Sequence, residues 1–64
     1  MKIILLKSFG YTGFTYTVDD NKVSALDGNG NELKEGVDYK IEDDNKQWPI
    51  VIVQANGLAT YSYP

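Results

Sequence analysis

Apolar residues in this chain recur mainly at every second position, and the polar breaks between them fall at turn-forming residues. Phe14, Tyr16 and Val18 alternate with Thr15 and Thr17, a period of two rich in aromatic and β-branched side chains that predicts a strand. Asp20-Asn21 predicts a tight hairpin, because both residue types tolerate the positive φ such turns require; residues 22–26 supply the return strand. Val37, Tyr39 and Ile41 point one way while Asp38, Lys40 and Glu42 point the other, as in a strand with one dry and one wet side. Two short runs are apolar throughout. Residues 3–6 read as a strand buried on both faces, and residues 50–53, entered from Pro49, read as a central strand.

The punctuation agrees with this pattern. Gly10 and Gly13 bracket a turn, Asp27-Gly28-Asn29-Gly30-Asn31 is a loop, and Asp43-Asp44-Asn45-Lys46 turns the chain again. Leu33 starts a short extended piece before Gly36. Asn56-Gly57 is the strongest two-residue hairpin signal, leading to a last strand at 58–63 in which Ala59, Tyr61 and Tyr63 alternate with Thr60 and Ser62. No helical period of useful length is present. The expected fold is all-β: one domain over residues 1–64, a small antiparallel barrel or two-sheet sandwich of five to six short strands, mostly hairpin-connected.

At 64 residues the chain sits near the lower size limit for independent folding. It has no cysteine, hence no disulfide, thiolate metal site or thiol nucleophile. It has no histidine, which removes the commonest neutral-pH base and transition-metal ligand. Stability must come from a dense core, from a partner, or from both; eight aromatic residues make the first plausible.

All six positive charges are lysines. The missing arginine and the net charge of −3 both weigh against nucleic acid as a partner. No apolar run is long enough for a transmembrane helix. The apolar stretch after Met1-Lys2 stops at Lys7 with no cleavage pattern, so a cytoplasmic protein is expected, in the host cytoplasm if phage-encoded, or one packaged into a virion.

Charge is distributed in three blocks. Residues 1–18 hold two lysines and no acid, residues 19–46 hold all nine acids against four lysines, and residues 47–64 hold no charged side chain. Sheet edges exposed to water normally carry lysines or inward charges that prevent pairing with other chains. The strand at 58–63 carries none, so it is either covered within the monomer or pairs with another chain. Trp48, Tyr61 and Tyr63, with Thr60 and Ser62, are therefore the candidate partner-binding residues.

Other chemistries are weaker. Asp27, Asn29, Asn31 and Asp38 have the spacing of a calcium loop, but Glu32 occupies the position that needs glycine, and no metal is expected. The acidic pairs Asp19-Asp20 and Asp43-Asp44 lie in exposed turns with nothing to separate their pKa values, and read as solvated turns. They are also too sparse to imitate a phosphate backbone. The serines and threonines have no histidine to activate them. Gly10-x-x-Gly13 and Gly28-x-Gly30 lack the following helix of a phosphate cradle. Tyr11, Phe14, Tyr16, Tyr61 and Tyr63 offer a stacking platform for single-stranded nucleic acid or sugar rings, against which stands their need in the core. No catalytic residue, cofactor or small-molecule substrate is expected.

The stretch from Asp27 to Ile41, with Leu33-Lys-Glu35-Gly36-Val-Asp38-Tyr39 after a polar loop, resembles a segment of the immunoglobulin-like modules of bacterial surface and carbohydrate-processing proteins. That resemblance covers about fifteen residues and implies a sandwich that spaces or displays other domains, without catalytic residues. In its asparagine-rich, lysine-only style the chain is similar to small accessory proteins of bacteriophages. The leading expectation is thus a non-enzymatic protein-binding module, such as a phage-encoded inhibitor or modulator of a host protein. The alternative is a structural module, a virion component or surface spacer, self-associating through its C-terminal strand. An aromatic single-stranded nucleic-acid binder comes third.

Overall fold

The computed structural model describes residues 1–9, 13–43 and 45–64. Gly10, Tyr11 and Thr12 of the expected glycine-bracketed turn, and Asp44 of the second acidic turn, lie outside the described residues. Six strands form, four where alternation or a turn signal predicts them and two in the continuous apolar runs: β1 (Lys2–Leu5), β2 (Phe14–Asp19), β3 (Lys22–Asp27), β4 (Tyr39–Glu42, starting after Val37), β5 (Ile50–Val53) and β6 (Ala59–Ser62). There is no helix among the described residues.

β2 and β3 pair as an antiparallel hairpin, with Asp19 opposite Lys22. Asp20 (φ 51°) and Asn21 (φ 64°) both take positive φ, the mirror-image turn that matches strand twist and favours these residue types. Phe14, Tyr16 and Val18 share one face with Val23 and Ala25, while Thr15, Thr17 and Ser24 occupy the exposed face.

The other four strands make a sheet in the order β4-β1-β5-β6. β1 runs antiparallel to β4 but parallel to β5, so the sheet departs from the all-antiparallel expectation at one seam. The cause is topological: β1 lies inside the sheet and reaches both neighbours through long connections, so no hairpin dictates its direction. The Met1 nitrogen donates to the carbonyls of Lys46 (2.6 Å) and Pro49 (3.0 Å), and Val51 N donates to Met1 O (3.0 Å), tying the start of β1 to the entry of β5.

The core lies between the two sheets. Met1, Ile3, Leu5, Tyr39, Ile50 and Ile52 of the larger sheet and Ala25 of the hairpin are buried, with Phe9, Phe14, Tyr16, Val18, Val23, Leu33 and Ile41 packed around them. Ile3 is fully buried, worth about 1.5–3 kcal/mol in removed apolar surface. Phe14 bridges the layers: its ring lies 6.4 Å from Tyr39, edge-on, and 5.7 Å from Phe9.

Single bridges, Leu26 with Glu32 and Glu35 with Tyr39, stitch the sheets along one side. Between β2 and β6 no pairing closes the other side among the described residues, so the architecture is an open two-sheet sandwich and not a closed barrel.

Candidate functional site

Register fixes what the outer face of the larger sheet presents, because directly paired residues share a face. One row reads Glu42, Lys2, Val51, Tyr61 across β4, β1, β5 and β6; the next reads Lys40, Ile4, Val53, Ala59. Charge is thus confined to the β4–β1 half, while the β5–β6 half is apolar and continues into Ile4 of β1. Residues 50–53 form an interior strand as expected, but residues 3–6, expected to be buried on both faces, are not. Ile4, Val51 and Val53 are only half-buried and Leu6 is exposed, since the single covering hairpin lies on the opposite side.

β6 forms the end of this sheet, and all four of its residues are exposed. Gln54 N donates to Leu58 O (2.7 Å), which makes that pair a bonded one. Bonded and non-bonded pairs alternate along an antiparallel ladder, so Thr60 and Ser62 bond inward to Ile52 and Ile50. The peptide groups of Ala59 and Tyr61 are then aimed at the open edge. No charged side chain stands on β6 to guard them. The edge at β4 differs. Lys40 and Glu42 sit on it, 3.5 Å apart, and Gly36 N already donates to Tyr39 O.

The turn into β6 is not the two-residue hairpin expected from Asn56-Gly57. Gly57 N donates to Gln54 O (2.9 Å) and Gly57 has φ 89°, a turn followed by a left-handed glycine in a three-residue loop. Asn56 Oδ1 accepts from Leu58 N (3.1 Å), which uses the asparagine as a local brace instead of a turn centre.

The candidate residues divide between two faces. Tyr61 (62 % exposed) and Trp48 (41 % exposed) line one open depression of about 230 Å³ with Met1, Lys2, Asp43, Lys46, Pro49 and Val51. Thr60 and Ser62, paired with Ile52 and Ile50, lie on the opposite face and take no part in it. Tyr63 stands just beyond β6, 71 % exposed. Trp48 precedes Pro49 at the entry to β5, and the peptide bond between them is cis. Reading the sequence missed Lys2, Lys46 and Val51 as neighbours of these aromatics. The signal was present in part, as apolar runs too long for a one-sided strand.

The proposed stacking platform is not assembled. Phe14 and Tyr16 pack into the core with Phe9 and Tyr39, while Tyr61 belongs to the other sheet and Tyr63 follows it beyond β6; Tyr11 lies outside the described residues.

The calcium-like loop spends its carboxylates on its own backbone. Asp27 Oδ1 accepts from Asn29 N and Asn31 N (both 2.9 Å), and Asp27 Oδ2 from Asn31 Nδ2 (3.2 Å). The Asn31 amide foremost holds the Asp27 carboxyl below its ordinary value. Asp38 is likewise engaged, by Lys7 and by the Lys34 amide. Among the described residues no three acidic side chains converge to hold a metal ion, and no helix is long and apolar enough to cross a membrane. Comparison with protein-family models, curated proteins and solved structures finds no match to this chain.

Proposed function

We propose that this chain is a small non-enzymatic protein-binding module that receives an extended partner segment along the free edge of β6. The observation that carries this reading is the edge itself: an exposed, uncharged strand that pairs only with β5 among the described residues, with the peptide groups of Ala59 and Tyr61 turned away from that partner. Strand addition supplies affinity through main-chain hydrogen bonds, and pockets beside the edge supply selectivity. The depression between Trp48 and Tyr61 is such a pocket, with aromatic walls of the type enriched at protein contacts. At about 230 Å³ and open to solvent, it is smaller than the roughly 300–1,000 Å³ of ordinary small-molecule sites. A module of this kind acts as an inhibitor or modulator by occupying a strand its partner needs elsewhere.

The test is selection of extended peptides against the purified chain, followed by amide spectroscopy of the complex. Bound peptides should protect the Ala59 and Tyr61 amides from exchange, and Tyr61→Lys should weaken them about tenfold or more, the scale of a contact hot spot. Peptides that bind Tyr61→Lys equally well, or substrate turnover by the pure chain, contradict the proposal.

A further inference from the structure

Resting on that reading of the β6 edge, we infer that the segment it receives is β6 of a second copy of this chain, antiparallel and with Thr60 on the two-fold axis. The geometry allows few registers. Bonded pairs across the new seam must join residues whose peptide groups both point outward, and those are Ala59 and Tyr61. Placing Ala59 of one copy opposite Tyr61 of the other satisfies this twice by symmetry, as an isologous interface requires. The same register sets Thr60 against Thr60 as the non-bonded pair and Leu58 against Ser62. Each Tyr61 ring then lies over a small alanine, avoiding a clash of two rings at the axis.

The outer face supplies a second argument. Across the seam the apolar row from Val51 and Tyr61 runs on into Ala59, Val53 and Ile4 of the partner copy. The combined eight-stranded sheet therefore has an apolar centre, with Lys2, Lys40 and Glu42 moved to its two outer thirds. Charge favours the same occupant. A chain of net charge −3 meets a second copy against repulsion, and of the two uncharged strands, β5 and β6, only β6 stands at the end of the sheet. Strand β4, in which Lys40 and Glu42 balance each other, stands three strand spacings from β6, about 14 Å. Two β4 strands in the dimer are then about 34 Å apart, well past the screening length of about 8 Å at physiological salt. A basic foreign segment gains nothing comparable from so neutral an edge.

With no native cysteine, the chain lends itself to a direct test. Non-bonded antiparallel pairs bring Cα atoms to about 4.5 Å, within disulfide range. Thr60→Cys should oxidise to a covalent dimer about tenfold faster than Ser62→Cys, whose sulfurs lie apart in this register. Mixing Leu58→Cys with Ser62→Cys should give the heterodimer by the same register, which covers the case of a poorly folding Thr60 variant. Wild-type mass in solution should rise toward twice the monomer value with concentration, and Tyr61→Lys should remove that rise. A mass that stays monomeric into the millimolar range, or faster cross-linking of Tyr61→Cys than of Thr60→Cys, overturns the inference. If self-pairing fails while peptides still protect the Ala59 and Tyr61 amides, the second copy alone is wrong. If neither occurs, the strand-addition reading falls with it.

Discussion

Lys7 and Asp38 meet at 2.7 Å, ammonium to Oδ1, where the chain leaving β1 passes the loop that enters β4. The contact is reinforced on both sides. Leu6 N donates to Asp38 O (2.9 Å), and Lys34 N donates to Asp38 Oδ2 (2.9 Å). One carboxylate thus ties together a strand end, a turn and a strand start.

This arrangement predicts acid sensitivity. The Lys7 ammonium first, and the Lys34 amide next, hold the Asp38 carboxyl below its ordinary 3.8. A carboxylate lowered by folding stabilises the fold fully above 3.8, and that contribution is lost as pH falls through its folded pKa. Denaturant midpoints should therefore drop below pH 4 in the wild type. Asp38→Asn should be less stable at pH 7 and show a shallower acid limb.

Tyr39 predicts the opposite limb. Burial, aided by the nearby Glu35, raises its phenol above 10.0. Its neutral form stabilises the fold fully below pH 10.0, and the contribution is lost as pH climbs from there through the folded pKa. Tyr39→Phe should keep the fold and flatten the decline of thermal midpoint above pH 10, relative to wild type.

Gly13 is buried, and a Cβ there would stand 1.5 Å from Phe9 O. No side-chain rotation relieves a clash with backbone. Gly13→Ala should cost at least about 1–3 kcal/mol by forcing Gly13 and Phe9 apart. Gly30→Ala meets open space and suffers only from its φ of 82°, so its loss in denaturant titration should be smaller.

Ile3 is the largest fully enclosed side chain. Ile3→Ala should lose about 2–5 kcal/mol and Ile3→Val about 0.5–1.5 kcal/mol. A domain of this size holds only roughly 3–10 kcal/mol in total. The alanine variant should therefore show partial unfolding at room temperature by circular dichroism, and the valine variant a lowered but cooperative melt.

Much of the architecture is legible in the residues because strand formation is local. The alternation of Phe14, Tyr16 and Val18, the Asp20-Asn21 turn and the alternation of Tyr39 and Ile41 each encode their own element, whereas Val37, expected on the dry side of that strand, is exposed in the turn before β4. Partnership between distant strands is not local, so the parallel seam of β1 with β5 had no sequence signal. Residues 3–6 were read as buried on both faces, yet Ile4 is half-buried and Leu6 exposed, because an apolar run does not say how many layers cover it. At the site, the β6 edge was legible from its missing charges. Grouping Thr60 and Ser62 with Tyr61 ignored the two-residue period that sends them to the other face. The nearness of Trp48 to Tyr61 depends on the β5–β6 register and on the path through Pro49, neither of which a pattern of residue types contains.

The central place of β1 has a consequence for biosynthesis. Ile3, Ile4 and Leu5 leave the ribosome well before their strand partners, Tyr39 to Ile41 on one side and Ile52 and Val53 on the other. The β2–β3 hairpin can close while translation continues; the larger sheet must wait until most of the polypeptide has emerged. Through that interval the nascent amino-terminal segment is a bare apolar strand, the kind of surface that chaperones cover.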